Sequence, residues 1–284
     1  MTGAGLVSID GVLGALDAPR LPVTDRGFLY GDAVFEALRT YGGEPDALDL
    51  HLGRLARSCA ILGIELPVPL DVLADEVRAT IAAVRSSERY VRVMITRGDL
   101  PDALPPAGAG RARRVVIARP LGTPSAALYE RGVTLRSCVA PTSALYGGAK
   151  PAAYLSNMLA IAAAQREGAD DALLLGAHGE VLEGATSSLF VVRAGELLTP
   201  PLSLGILPGI TRDRVWSAAL RVGLSVRERL LSIQDAYRAD ELFLTSSVRQ
   251  VVGVTTLDGL RLGTGKPGPV TRQVAAAYRA QVGT

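Results

Sequence analysis

The chain has 284 residues, 48% hydrophobic and 20% charged, enough for two domains or one large one with a sizeable buried core. Its 30 basic and 28 acidic residues leave a formal net charge of +2, and the arginines are scattered, so no nucleic-acid or polyanion footprint is present. Two cysteines (Cys59 and Cys138) and two histidines provide neither a metal site nor a disulfide framework, and no signal peptide or membrane-length apolar run is visible, which reads as a cytoplasmic protein with no metal and no membrane partner.

In chain order, LVSIDG and FEALRTYGG read as strands separated by turn formers, and LDLHLGRLARSCAILGI as a helix with leucines at i, i+3 and i+4 spacing. RYVRVMITRG and RRVVIARPL are strand-like, with DLPDALPPAGAG as an exposed loop between them. The proline-bearing stretch near residues 120–128 is the expected connection between an N-terminal domain over 1–119 and a C-terminal domain over 129–284. After it come the strand TLRSCVA, a helix in the alanine-rich PAAYLSNMLAIAAAQREGA, and β runs broken by Gly176, Gly179, Gly184 and Gly195. A helix from about Thr211 to Leu220, another near SIQDAYRA, the strands ELFLTSS and VVGVTTLDG and a terminal helix VTRQVAAAYRAQV complete the chain. The mixture predicts two α+β domains, the second larger.

All but two of the basic residues are arginine; the lysines are Lys150 and Lys266. A chain that uses arginine almost everywhere keeps lysine where arginine cannot substitute, and only the lysine amine forms a Schiff base. Lys266 lies in the glycine- and proline-rich GTGKPGP and reads as solvated. Lys150, in YGGAK, is placed by the sequence at the opening of the alanine-rich helix, where the dipole disfavours the ammonium form. A carbonyl cofactor such as pyridoxal phosphate needs, besides the amine, an acid facing its ring nitrogen and an anion pocket. Glu183 in EVLEGATSSLF is a candidate acid, and GILPGITRDRVW offers the backbone N–H groups of Ile210 and Thr211 at a helix start, with Arg54 and Ser247 as further phosphate partners.

Taken together, DRGFLYGDAVFEALRTYGG, HLGRL, KPAAYLSNMLA, GEVLEGATSSLF, TPPLSLGILPGITR and DELFLTSS closely resemble the class IV, or fold type IV, pyridoxal-phosphate aminotransferases, which include branched-chain and D-amino-acid aminotransferases and aminodeoxychorismate lyase. The resemblance runs from about residue 6 to residue 280. It implies that Lys150 forms the Schiff base with pyridoxal 5′-phosphate, that Arg54, Ile210, Thr211 and Ser247 hold the phosphate, that Glu183 faces the pyridine nitrogen, and that Leu207 packs against the ring. Tyr30 and Phe35 match positions near the substrate pocket. The fold implied is a smaller N-terminal α/β domain and a larger C-terminal barrel-like domain, assembled as a homodimer.

The substrate depends on which arginine receives a carboxylate. Arg92 matches the arginine that branched-chain enzymes carry two residues after a strand tyrosine, and Arg97 the position used by D-amino-acid enzymes and shared by the lyases. Strand alternation puts these two on opposite faces unless a bulge intervenes. The segment after Arg97 lacks the arginine and histidine of the D-specific enzymes and the RGY-type segment of the lyases, and Ala37, Gly42 and Gly43 suggest a small-walled pocket. The first choice is ping-pong transamination between an apolar or small amino acid and a 2-oxo acid. The alternatives are a D-amino-acid aminotransferase, an aminodeoxychorismate lyase and, more distantly, a non-catalytic binding paralogue, which would be expected to lack the lysine or the acid.

Overall fold

A computed structural model describes residues 5–18, 20–99, 111–122, 125–140 and 146–283. Two compact units are formed, Met1–Gly122 with Ala149–Tyr154, and Thr123–Gly148 with Leu155–Thr284.

The first unit contains β1 (Leu6–Ile9), β2 (Val12–Ala15), α1 (Arg26–Tyr30), β3 (Ala33–Tyr41), β4 (Glu44–Pro45), α2 (Leu48–Leu62), α3 (Leu70–Ala83), β5 (Arg89–Asp99) and β6 (Arg111–Pro120). Its strands make an antiparallel sheet in the order β2-β1-β6-β5-β3-β4. Alternation sends Val34, Leu38, Val91, Val93, Ile95 and Val116 to one face, where Leu52, Leu55 and Cys59 of α2 and Leu73, Val77 and Ile81 of α3 cover them. The reading of the sequence placed no element at α3, although its buried residues recur at four-residue spacing. Gly42 and Gly43, read as small pocket-wall residues, turn the β3–β4 hairpin with φ of +58° and +90°, a backbone that L side chains rarely adopt. Beyond Asp99, the loop expected before β6 lies outside the described residues.

The second unit contains α4 (Ala126–Arg131), β7 (Val133–Val139), α5 (Leu155–Arg166), β8 (Asp171–Leu175), β9 (Val181–Gly184), β10 (Ser188–Arg193), β11 (Glu196–Thr199), α6 (Ile210–Arg221), β12 (Val226–Glu228), α7 (Ile233–Tyr237), β13 (Glu241–Ser246), β14 (Gln250–Leu257), β15 (Leu260–Arg261) and α8 (Pro269–Val282). Eight strands run in the order β12-β11-β10-β13-β14-β7-β8-β9, with β15 paired to β14. A bridge between Gly184 and Ser187 also brings β9 to β10, so the sheet curls on itself. Both faces of its centre are covered: Leu189, Val191, Leu242 and Leu244 lie in one core, while Phe190, Val192 and Phe243 lie under α6 and α8 in another. That double burial explains why DALLL and ELFL are continuous apolar runs rather than alternating ones. The acid of DELF serves the fold, since Glu241 accepts hydrogen bonds from Val270 N, Thr271 N and Thr271 Oγ1 and so caps α8. The expected α+β class is the one observed, with a six-stranded and a nine-stranded sheet.

The segment carrying Lys150 differs from the expectation in two ways. It packs with the first unit rather than the second, and it is extended, with α5 starting only at Leu155. Lys150 therefore does not sit at a helix N-terminus. Pro151 is the physical reason: its ring disfavours helical backbone at residue 150. The segment instead runs along β3, with Phe35 N donating to Lys150 O at 3.0 Å and Ala152 N to Ala33 O at 2.7 Å.

Candidate active site

In the first unit, the strap from Ala149 to Tyr154 fixes Lys150 from both sides. Its backbone N–H donates to Ser58 Oγ of α2 at 3.1 Å, and its carbonyl is held by β3. The side chain reaches over Phe35, with Nζ 4.6 Å from the ring centroid. Tyr154 stands edge-on to the same ring at 5.4 Å and 86°, and Nζ lies 5.6 Å from the Tyr154 centroid. Two rings thus form an apolar wall beside the amine. Gly31, which ends α1 with φ +68°, makes this approach possible, since a Cβ there would lie 3.1 Å from Ala153 Cα. Tyr30, expected near the substrate, is exposed on α1 with the Arg26 guanidinium 4.9 Å from its ring centroid.

Register decides between the two arginines. Ala37 lies opposite Arg92 and Phe35 opposite Met94, so Arg92 shares the face of Phe35, and its Cζ is 3.8 Å from the Phe35 centroid. A cation–π contact of this kind orients the guanidinium on an apolar support. Arg97 has the opposite parity and turns to the helix-covered face. There Nε donates to Asp32 Oδ2 at 2.8 Å, Nη1 to Gly63 O at 2.5 Å and Nη2 to Leu62 O at 2.8 Å. Arg97 is therefore a cap on the C-terminus of α2, where a cation meets the negative end of the helix, on the face opposite Phe35. Burial acts to raise the Asp32 pKa, but hydrogen bonds from Arg97 and Arg26 outweigh it and hold the carboxyl below the usual range.

Arg54 belongs to a buried cluster that the sequence reading did not anticipate. Its Nε and Nη2 donate to the two oxygens of Glu36 at 2.8 and 2.7 Å, and His51 Nδ1 lies 2.6 Å from Glu36 Oε2. All three side chains are almost fully buried. Burial alone would push Glu36 up, yet Arg54 and His51 together bring its pKa down to about 2. The signal was present: His51 and Arg54 are spaced i, i+3 on α2, and Glu36 sits between Val34 and Leu38 on the apolar face of β3.

The second unit supplies the other group. Glu183 lies half-buried on β9, opposite Leu174. Leu207 is half-buried in the approach to α6. That helix begins at Ile210 with no side-chain cap on Gly209, and Ile210 and Thr211 are buried in its first turn. Gly209 lies close to β10, where a Cβ would come 2.5 Å from Ser188 Oγ. Ser188 pairs with Thr245 across the sheet, and Thr245 Oγ1 and Ser187 Oγ are buried without a hydrogen-bond partner among the described residues. Ser247 occupies the turn between β13 and β14.

The chain is 30% identical over 272 residues to a branched-chain-amino-acid aminotransferase of Escherichia coli K12, covering 91% of this chain and 87% of that one. It is also 30% identical over 267 residues to a D-alanine aminotransferase of Bacillus licheniformis, covering 90% of each. The crystal structure of a T.th. branched-chain amino acid aminotransferase with pyridoxamine 5′-phosphate superposes with a TM-score of 0.93 at 28% identity, covering 99% of this chain and 95% of that one. A family model described as amino-transferase class IV matches residues 33–257, and with those relatives it shows that this chain belongs to the class IV aminotransferases, enzymes of fold type IV that use pyridoxal 5′-phosphate.

Proposed function

We propose that the enzyme transfers the amino group of an apolar or small L-amino acid to a 2-oxo acid, with 2-oxoglutarate or pyruvate as acceptor. The observation that carries the substrate reading is the placement of Arg92 and Lys150 on one aromatic ring, Phe35, while Arg97 is occupied on the opposite face. A carboxylate on the Lys150 side of the sheet is thereby offered Arg92, the arginine of the branched-chain pattern. The position matched by the D-amino-acid enzymes and the lyases is not offered.

The residues present fit pyridoxal 5′-phosphate. Lys150 provides the amine, the uncapped start of α6 provides N–H groups aligned with a helix dipole, and Glu183 provides a carboxylate. When bound, the cofactor supplies an electron sink for the pair left behind when a Cα–H bond breaks. Lys150 Nζ would take the proton from the donor Cα and deliver it to the cofactor carbon on the far side of the amino nitrogen. The Phe35 and Tyr154 rings limit water around that amine. Glu183 would hold a proton on the ring nitrogen through its negative charge. Ile210 N, Thr211 N, Ser247 and Arg54 would bind the phosphate, Leu207 would pack against the ring, and Arg92 would orient the substrate carboxylate. The enzyme works as a homodimer; the exposed apolar residues Leu155, Met158 and Leu159 on α5 support a protein partner on that helix.

Mixing the pyridoxal form with individual L- and D-amino acids, including leucine and alanine, tests the reading. The visible cofactor band is expected to shift fastest with apolar L-amino acids. Release of pyruvate from aminodeoxychorismate faster than any transamination would make the enzyme a lyase. Arg54 gives a separate prediction. Because alanine there would strand the buried Glu36 charge, the informative variant is Arg54→Lys, which keeps a cation but loses the planar fork. Its cofactor dissociation constant is expected to rise by the equivalent of roughly 1.5–3 kcal/mol, measured by titration, with kcat at saturating cofactor little changed.

A further inference from the structure

Resting on the cofactor assignment just made, we propose that Arg249 is a positioning residue for the turn that carries Ser247, acting through its ion pair with Asp171. The turn joins β13 to β14 between the paired residues Ser246 and Gln250, a three-residue connection closed by a residue in left-handed backbone. That residue is Gln250 at φ +59°, where glycine would be at ease and glutamine is strained. Such a conformation persists when its surroundings over-determine it, and Arg249, the residue before it, is held at three points.

The guanidinium donates through Nη2 to Asp171 Oδ2 at 2.7 Å and to Thr186 Oγ1 at 3.1 Å. The backbone carbonyl accepts from Tyr129 Oη of α4 at 3.1 Å, and the backbone N–H donates to Ser246 Oγ at 3.4 Å. Asp171 is the first residue of β8, its side chain only 3% exposed, with its other oxygen accepting from Ala172 N at 2.8 Å. A carboxylate this buried holds its partner in one place more firmly than a surface pair does. Thr186 lies in the turn after Gly184, directly downstream of Glu183. One guanidinium therefore ties the turn of Ser247 to the turn that follows Glu183, and fixes the hydroxyl proposed to meet the phosphate relative to the carboxylate proposed to meet the ring.

The test uses the full chain and the paired replacement Arg249→Met with Asp171→Asn, which removes the tether without leaving a buried charge unpaired. Two quantities are read: amide hydrogen exchange of residues 246–250 without cofactor, and the dissociation constant for pyridoxal 5′-phosphate. Exchange in the turn is expected to accelerate while the thermal midpoint of the cofactor-free chain stays close to that of the parent. The dissociation constant is expected to rise about tenfold or more, as for one lost hydrogen bond to a charged group. Unchanged exchange, or faster exchange with an unchanged dissociation constant, overturns the proposal. Should the paired variant fail to fold, Arg249→Lys, which keeps a cation for Asp171 but shortens its reach, is judged by the same two readings. A parent chain that takes up no pyridoxal phosphate would refute the cofactor reading itself, and that result is distinct from an unresponsive turn.

Discussion

Lys150→Ala is expected to abolish transamination and to prevent borohydride from fixing the cofactor to the chain, whereas Lys266→Ala is expected to leave both intact. The contrast follows from setting as well as chemistry. Lys266 is exposed in a bend before Pro267. Lys150 is held through its own backbone on two sides and its Nζ is set against Phe35 and Tyr154. A general base positioned in this way contributes about 10²- to 10⁴-fold, and the same amine is needed for the covalent attachment, so the measured rate should fall to background. Steady-state assays with a favoured amino acid, together with peptide mapping after reduction, check both halves. Fixation of the cofactor on Lys266 in the parent would overturn the assignment.

Glu183→Gln is expected to bind the cofactor and react slowly. The amide has nearly the shape of the carboxylate but no charge, so a proton on the ring nitrogen loses its electrostatic support. By comparison with other removals of preorganised charge at a developing anion, the loss is on the order of 10²-fold. Single-turnover measurement of the first half-reaction isolates this step from product release. A rate equal to the parent's would reduce Glu183 to an ordinary strand residue. Retention of the cofactor by the variant would separate this effect from that of Arg54→Lys, which weakens binding first.

How much of this was legible in the sequence depended on whether local signals matched the tertiary contacts. The strands β3, β5, β6, β13 and β14 and the start of α6 were visible because alternation, apolar runs and a Gly-Ile-Thr turn all pointed the same way. Alternation also separated Arg92 from Arg97 before any contact was known; what it could not show was which face Phe35 and Lys150 share. The alanine-rich stretch after Lys150 suggested a helix from its first residue, but Pro151 and pairing with β3 delay the helix to Leu155. Pairing with a distant strand is not encoded in local composition, which is why the unit to which Lys150 belongs was also misjudged. Glu36 was read only as part of a motif, because its partners His51 and Arg54 lie on another element and meet it only in the folded chain.

The cap that Arg97 places on α2 constrains any redesign that would enlist this arginine for substrate binding. Redirecting Arg97 toward a substrate would release the carbonyls of Leu62 and Gly63 and leave Asp32 with Arg26 alone. A variant engineered to turn Arg97 toward a substrate would therefore need a new donor at the end of α2 before the arginine could be spared, because the same guanidinium closes that helix and steadies Asp32.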